Sequence, residues 1–191
     1  MARPIPAGAP SSRLLLVQLA GSPGTGKSVL ASALGRALGA VVLDRDVVNS
    51  ALLDADVGWG GARAPAHEVM CALAASLLEQ GLNVVLDSPS DYAASPQRGL
   101  AVARDRGADY RFIECVCEDL EEVGRRLAGR MVRRSQWTGI DVQSPDGITG
   151  AELVGPRRWR TYGPEGGWLI LDTGGRLEMS LAPTLGYLAA P

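Results

Sequence analysis

At 191 residues, 46% of them hydrophobic, the chain is long enough to bury one core, and its composition excludes a disordered or fibrous protein. A formal net charge of −2 supplies no basic field for coating nucleic acid, which makes nucleic acid an unexpected partner. Three cysteines cannot all pair, no apolar run reaches the roughly 18 residues that a membrane span needs, and the Pro-rich start from Met1 to Ser12 has no signal-peptide apolar stretch. The expectation is a loose arm over residues 1–12 and one cytoplasmic, non-membrane domain over residues 13–191, with Cys71, Cys115 and Cys117 as reduced core thiols.

Leu14 to Ala20 is a continuous apolar run, the mark of a strand covered on both faces. It runs into Gly21-Ser22-Pro23-Gly24-Thr25-Gly26-Lys27-Ser28, after which Val29, Leu30, Ala33, Leu34, Ala37 and Leu38 recur at helical spacing until Gly39 offers a C-terminal cap. Val41 to Leu43 is a second strand, closing on Asp44-Arg45-Asp46. Val69, Leu73 and Leu77 lie one turn apart on a helix stopped by Gly81, and Leu82 to Leu86 forms a strand ending at Asp87. Pro96 suits a helix start and Gly107 its end. Tyr110 to Cys117 is a fourth strand, Asp119 to Leu127 a short amphipathic helix, and Trp168 to Leu171 a fifth strand before Asp172. Strands alternating with helices make an α/β domain. Between Ala128 and Gly167 the chain is rich in Arg, Gly and Trp and has no clear period, so a lid is expected over about residues 128–160.

The glycine loop carries the strongest chemistry. Gly21, Gly24 and Gly26 allow backbone conformations that a Cβ opposes, so successive N–H groups of Gly21 to Val29 can turn inward onto phosphate oxygens, aided by the positive end of the following helix. Lys27 can reach the β and γ phosphates and the Ser28 hydroxyl can ligate Mg²⁺. Lys27 is also the only lysine among nineteen basic residues. ATP, or another nucleoside triphosphate, with Mg²⁺ is the cofactor this implies. In a doubly wound sheet ligands gather beyond the carboxyl ends of the strands, so Asp44, Asp46 and Asp87 should converge there. Asp46 is the candidate base, its rival role being N-cap of a helix over Val47 to Leu53. Asp87 is the candidate metal-side carboxylate acting through water, its rival role also a cap. Arg125, Arg126, Arg130, Arg133 and Arg134, then Arg157, Arg158 and Arg160, make a basic run without nearby acids that suits phosphate, or else a solvated face. Trp59, Trp137 and Trp159 fall in Gly-containing irregular stretches and either stack on a base or cover the core. His67, the only histidine, opens the helix before Val69 and reads first as exposed or capping.

The P-loop octet, Leu43-Asp44-Arg45-Asp46, Val84-Val85-Leu86-Asp87-Ser88-Pro89 and the Arg-rich stretch together resemble the small AAA-type P-loop kinases, the group of chloramphenicol phosphotransferase, the zeta toxins and the kinase domain of polynucleotide kinase. The resemblance spans about residues 14–175 and implies a P-loop kinase-like three-layer sandwich. Its five-stranded parallel sheet would run in the order 2-3-1-4-5, under an Arg-rich lid. It further implies Asp46 as general base and Arg126 and Arg130 on the transferring phosphoryl, which Lys27 of the P-loop also reaches; Asp44, Asp87, Asn49, Arg133 and Arg134 are the candidates for the substrate side. Polynucleotide kinases carry an arginine three residues beyond that aspartate; here the position is Asn49, which favours a neutral acceptor. The activity expected is transfer of the γ-phosphate to a hydroxyl of a small molecule: a nucleoside, a sugar-like metabolite or an antibiotic. The alternatives are a nucleotide-dependent switch with no acceptor and a polynucleotide 5′-kinase.

Overall fold

The structure, a computed structural model, describes residues 13–89, 94–130, 133–136, 163–165 and 167–190. Five parallel strands form its centre: β1 (Leu15–Ala20), β2 (Val41–Asp44), β3 (Val84–Asp87), β4 (Asp109–Val116) and β5 (Leu169–Asp172). They lie in the order β2-β3-β1-β4-β5, as expected. Between them run α1 (Lys27–Leu38), α2 (Arg45–Asp54), α3 (Trp59–Glu79), α4 (Ala94–Asp105) and α5 (Leu120–Ala128), and α6 (Leu177–Ala189) follows β5. Alternation along the central strand divides the core in two. Val17 and Leu19 of β1 pack with Leu30, Ala31 and Leu34 of α1, and Leu177, Leu181 and Leu185 of α6 join them. Leu16, facing the other way, packs with Met70, Cys71, Ala74 and Leu78 of α3 and with Val102 and Ala103 of α4. Three layers result, with helices on both faces of the sheet.

Several local expectations change. On α3 the core stripe is Ala62, Ala66, Met70, Ala74 and Leu78, while Val69 and Leu73 face outward, 41% and 44% exposed. The two stripes have the same helical spacing, so periodicity found the helix but not its buried face; the small alanines mark the side that lies close on the sheet. α3 begins at Trp59, so Trp59 opens a helix rather than an irregular stretch, and His67 is a mid-helix residue buried to 1% exposure, its Nε2 3.5 Å from Cys71 Sγ. Val29 is also outward, 58% exposed. Cys117 lies beyond the end of β4 and is only half-buried, while Cys71 and Cys115 are buried; all three are free thiols. Nothing in the sequence reading signals α6, whose period is obscured by an internal Pro183. Trp168 precedes β5, donates from Nε1 to Glu114 Oε2 at 3.0 Å and meets Phe112 edge-on. The arm over residues 1–12, most of the expected lid, Trp137, Trp159, Arg157, Arg158 and Arg160 lie outside the described residues. No helix among the described residues is long and apolar enough to cross a membrane.

Candidate active site

The fold delivers its chemistry to one edge. Parallel pairing sets Leu19 of β1 beside Asp87 of β3, and Asp87 beside Asp44 of β2, so the P-loop and two carboxylates leave the sheet together at the carboxyl ends of adjacent strands. Gly21, Gly24 and Gly26 have φ of +131°, +82° and +84°, a region that side chains oppose. Space is closed as well: a Cβ on Gly21 would lie 2.2 Å from the Cys115 carbonyl oxygen, and one on Gly24 2.7 Å from Val123 Cγ1 of α5. Gly26 is the N-cap of α1 and no side chain caps it, which leaves the helix's positive end to the loop. Ser22, Pro23 and Thr25 complete the turn, with Thr25 Oγ1 donating to the Ser22 carbonyl at 2.8 Å. The Thr173 hydroxyl, just past β5, sits between the Thr25 and Val116 carbonyls and ties the loop to the sheet.

Lys27 Nζ donates to the Ser22 carbonyl at 2.7 Å, inside the loop it belongs to. Burial lowers its pKa, and the Asp87 charge opposes that effect. Asp87 shows the mirror image. Its carboxyl is pushed up to about 6 by burial, against the pull of Lys27 and of a hydrogen bond from Ser28. An ammonium and a carboxylate withdrawn from water side by side need each other to stay charged. Ser28 and Asp87 also pass a chemical test for Mg²⁺. Both present hard oxygen donors, and among the described residues no group of three or more His, Cys, Asp or Glu could cage an ion without help. That suits a metal that keeps its waters and arrives on phosphate oxygens.

The side expected to meet an acceptor is built on α2, which starts directly after β2. Asp44, not Asp46, is its N-cap: Asp44 Oδ1 accepts from the Asp46 N–H at 2.8 Å. The rival role foreseen for Asp46 therefore falls to Asp44, whose pKa is raised by burial and by the Asp46 charge. Asp46 Oδ2 instead accepts from Gln136 Nε2 at 2.7 Å. Arg130 is drawn towards Asp46 and Asp44, whose charges oppose the lowering of its pKa by burial. Asn49, 6% exposed, has no hydrogen-bond partner for its Oδ1 among the described residues, a vacancy that a hydroxyl or N–H can fill.

Acids do accompany the arginines, contrary to the sequence expectation. Glu122 takes both Arg125 and Arg126, the i+3 and i+4 positions of α5, and Asp54 takes Arg134 at 3.2 Å on the exterior. Arg134, expected on the substrate side, is thus held in an exposed ion pair at the end of α2. Arg133 remains close enough to Asp44 to lower that carboxyl's pKa. Arg126 is the one aimed at the P-loop. Its Nε donates to Glu122 Oε1 at 2.6 Å and its Nη2 to the Thr173 carbonyl at 2.9 Å. Its Nη1 is buried without a hydrogen-bond partner among the described residues, 3.3 Å from where a Cβ of Gly26 would be.

The AAA-domain family profile matches residues 16–143, well over half of the chain. The chain belongs to the AAA-domain family. No curated protein matches this AAA-domain chain. Among solved structures, a Chloroflexus aurantiacus protein assigned as a kinase is 22% identical, with a TM-score of 0.68 over 92% of this chain and 96% of its own. The Mycobacterium tuberculosis APS kinase, solved with AMPPNP and APS, is also 22% identical, at 0.67 over 93% and 99%. A Sinorhizobium meliloti gluconokinase is 15% identical, at 0.54 over 91% and 97%. At these identities the likeness is one of fold, and it bears out the resemblance to small P-loop kinases and the sheet order.

Gln136, Ser135, Ser50, Glu122 and Thr173 escaped the sequence reading. Thr173 was within reach of the rule that placed Asp44 and Asp87, since it too follows a parallel strand. Gln136 and Ser135 carry no signal, because only their approach to α2 gives them a role.

Proposed function

We propose that this AAA-domain chain is an ATP-dependent phosphotransferase that moves the γ-phosphate to a hydroxyl of a small molecule. The observation that carries the reading is a carboxylate not used as a helix cap, Asp46, whose charge acts on the P-loop Lys27. A nucleotide-dependent switch has no use for a base at that place. The acceptor's hydroxyl proton passes to the Asp46 carboxylate as its oxygen bonds to the γ-phosphorus. The bond from that phosphorus to the β–γ bridging oxygen breaks, and ADP leaves with the electron pair. Lys27 and Arg126 supply positive charge on the nucleotide side, and Arg130 supplies it between the transferring group and the carboxylates. A bound Mg²⁺, held by Ser28 and through water by Asp87, would neutralise the β and γ oxygens.

A neutral acceptor is supported by Asn49, a buried amide where polynucleotide kinases carry arginine. The test is ADP formation from Mg·ATP with nucleosides, sugars and hydroxyl-bearing antibiotics, each reaction followed by mass spectrometry for an added phosphoryl group. One class is expected to raise ADP release well above the rate without acceptor and to gain the phosphoryl. Equal turnover with and without every class, and no phosphorylated product, would favour the switch.

If Arg126 spans Glu122, Thr173 and a phosphate, an ammonium cannot replace it, since it lacks the planar fork. Arg126→Lys is expected to lower kcat for Mg·ATP turnover by about tenfold or more. Arg125→Lys, on the exposed side of the same helix, should leave it within about twofold. Steady-state rates of both variants check this, and equal rates would return Arg126 to a structural role.

A further inference from the structure

Residues 133–136 lie far along the chain from α2, yet they are fastened to it at the proposed base. The Ser135 N–H donates to Ser50 Oγ at 3.1 Å, the two hydroxyls are 2.9 Å apart, and Ser135 Oγ is 3.1 Å from the Asp46 carbonyl oxygen. One assignment of protons satisfies the whole chain: Ser135 N–H to Ser50 Oγ, Ser50 O–H to Ser135 Oγ, and Ser135 O–H to the Asp46 carbonyl. Both serines are 8% exposed, so the clasp is shielded from competing water. Its effect is to place the next residue, Gln136, so that Nε2 meets Asp46 Oδ2 at 2.7 Å. The same amide's Oε1 accepts from the Arg133 N–H at 3.1 Å, which fixes which end of the amide faces the carboxylate.

We infer that Gln136 is a positioning residue for phosphoryl transfer: held by the Ser50–Ser135 clasp, it occupies one oxygen of Asp46 and orients the other towards the acceptor hydroxyl. This rests on the reading of Asp46 as the base. Asp46 sits on the first turn of α2 with its backbone N–H already spent on Asp44, but its carboxylate is free to rotate about χ2 unless something holds it. Nothing comparable is needed for a passive surface acid. A short, buried-side bond across 90 residues costs loop entropy that a merely exposed carboxylate gives no reason to spend.

The experiment is a double-mutant cycle read as phosphate release from Mg·ATP, with water as the acceptor probe. Gln136→Ala in the natural chain is expected to lower kcat about tenfold with the KM for Mg·ATP unchanged. In an Asp46→Asn background the same substitution should change kcat by less than about twofold, because there is no longer a base to position. Thermal melting confirms that each variant is folded. Equal losses in both backgrounds would make Gln136 a packing residue and overturn the proposal, as would full kcat in Gln136→Ala. The base reading fails separately, on an Asp46→Asn chain that keeps full kcat, and it takes the proposal with it. Gln136→Asn, too short by one methylene to reach from the same clasp, is expected to behave as Gln136→Ala does.

Discussion

Lys27→Ala is expected to lose about a hundredfold or more in ATP turnover while remaining folded. Lys27 is the only lysine of the chain and lies within the loop that would hold the β and γ phosphates. A charge-assisted contact that strengthens as the phosphoryl transfers contributes on the order of 2.7–4 kcal/mol, which is roughly two to three decades in rate. The substitution also acts on the metal side. Burial pushes the Asp87 carboxyl up to about 6 and the Lys27 charge opposes it, so removing that charge raises it further and protonates more of it at neutral pH. The sign is fixed: less Asp87 carboxylate in the variant, hence weaker Mg·ATP binding, recovered in part as the pH is raised from about 6.5 to 8. Turnover should not recover with it, because the phosphate contact is gone at every pH. Nucleotide titrations at both pH values, beside steady-state rates, separate the two effects, and near-normal turnover in a folded variant would remove Lys27 from the mechanism.

The nucleotide side of this site could be read from the sequence because its rules are local. Glycines at positive φ, an uncapped helix start and a lysine and hydroxyl at fixed offsets are all properties of Gly21 to Ser28 alone. The carboxyl-end placement of Asp44 and Asp87 followed from parallel pairing, which a run of buried strands already implies. What sequence could not give is which side chains meet across long separations. Glu122 neutralises part of the arginine run because α5 brings i+3 and i+4 onto one face, and Asp54 takes Arg134 from the end of a different helix. The face of α3 inverted for a related reason: alanines pack closest, but hydropathy weights Val69 and Leu73 more. The cap role weighed as the rival for Asp46 falls to Asp44, since α2 begins at Arg45, directly after the last residue of the strand with no turn between.

That shift of the cap decides how Asp46→Asn should behave. Had Asp46 capped α2, the asparagine would have kept the capping bond and the measurement would have been ambiguous. Asp44 does the capping, so Asp46→Asn leaves the helix start intact and changes the group presented to Gln136 and to the acceptor, together with the charge that Lys27, Asp44 and Arg130 feel. Asparagine keeps the size of aspartate and, through Oδ1, still accepts from Gln136, while losing the capacity to take a proton. The expected result is a kcat lower by roughly a hundredfold or more with nucleotide affinity little changed, the usual contribution of a general base. Asp87→Asn should differ in kind, weakening the dependence on Mg²⁺ rather than the step itself. Asp44→Asn should leave the start of α2 in place, because asparagine also caps, and should act mainly on the acceptor's KM through the charge it removes. Rates for the three variants against Mg²⁺ and acceptor concentration distinguish these patterns. An Asp46→Asn chain, folded and within about threefold of the natural kcat, would mean that the proton leaves by another route, since no general base can be lost at so small a cost.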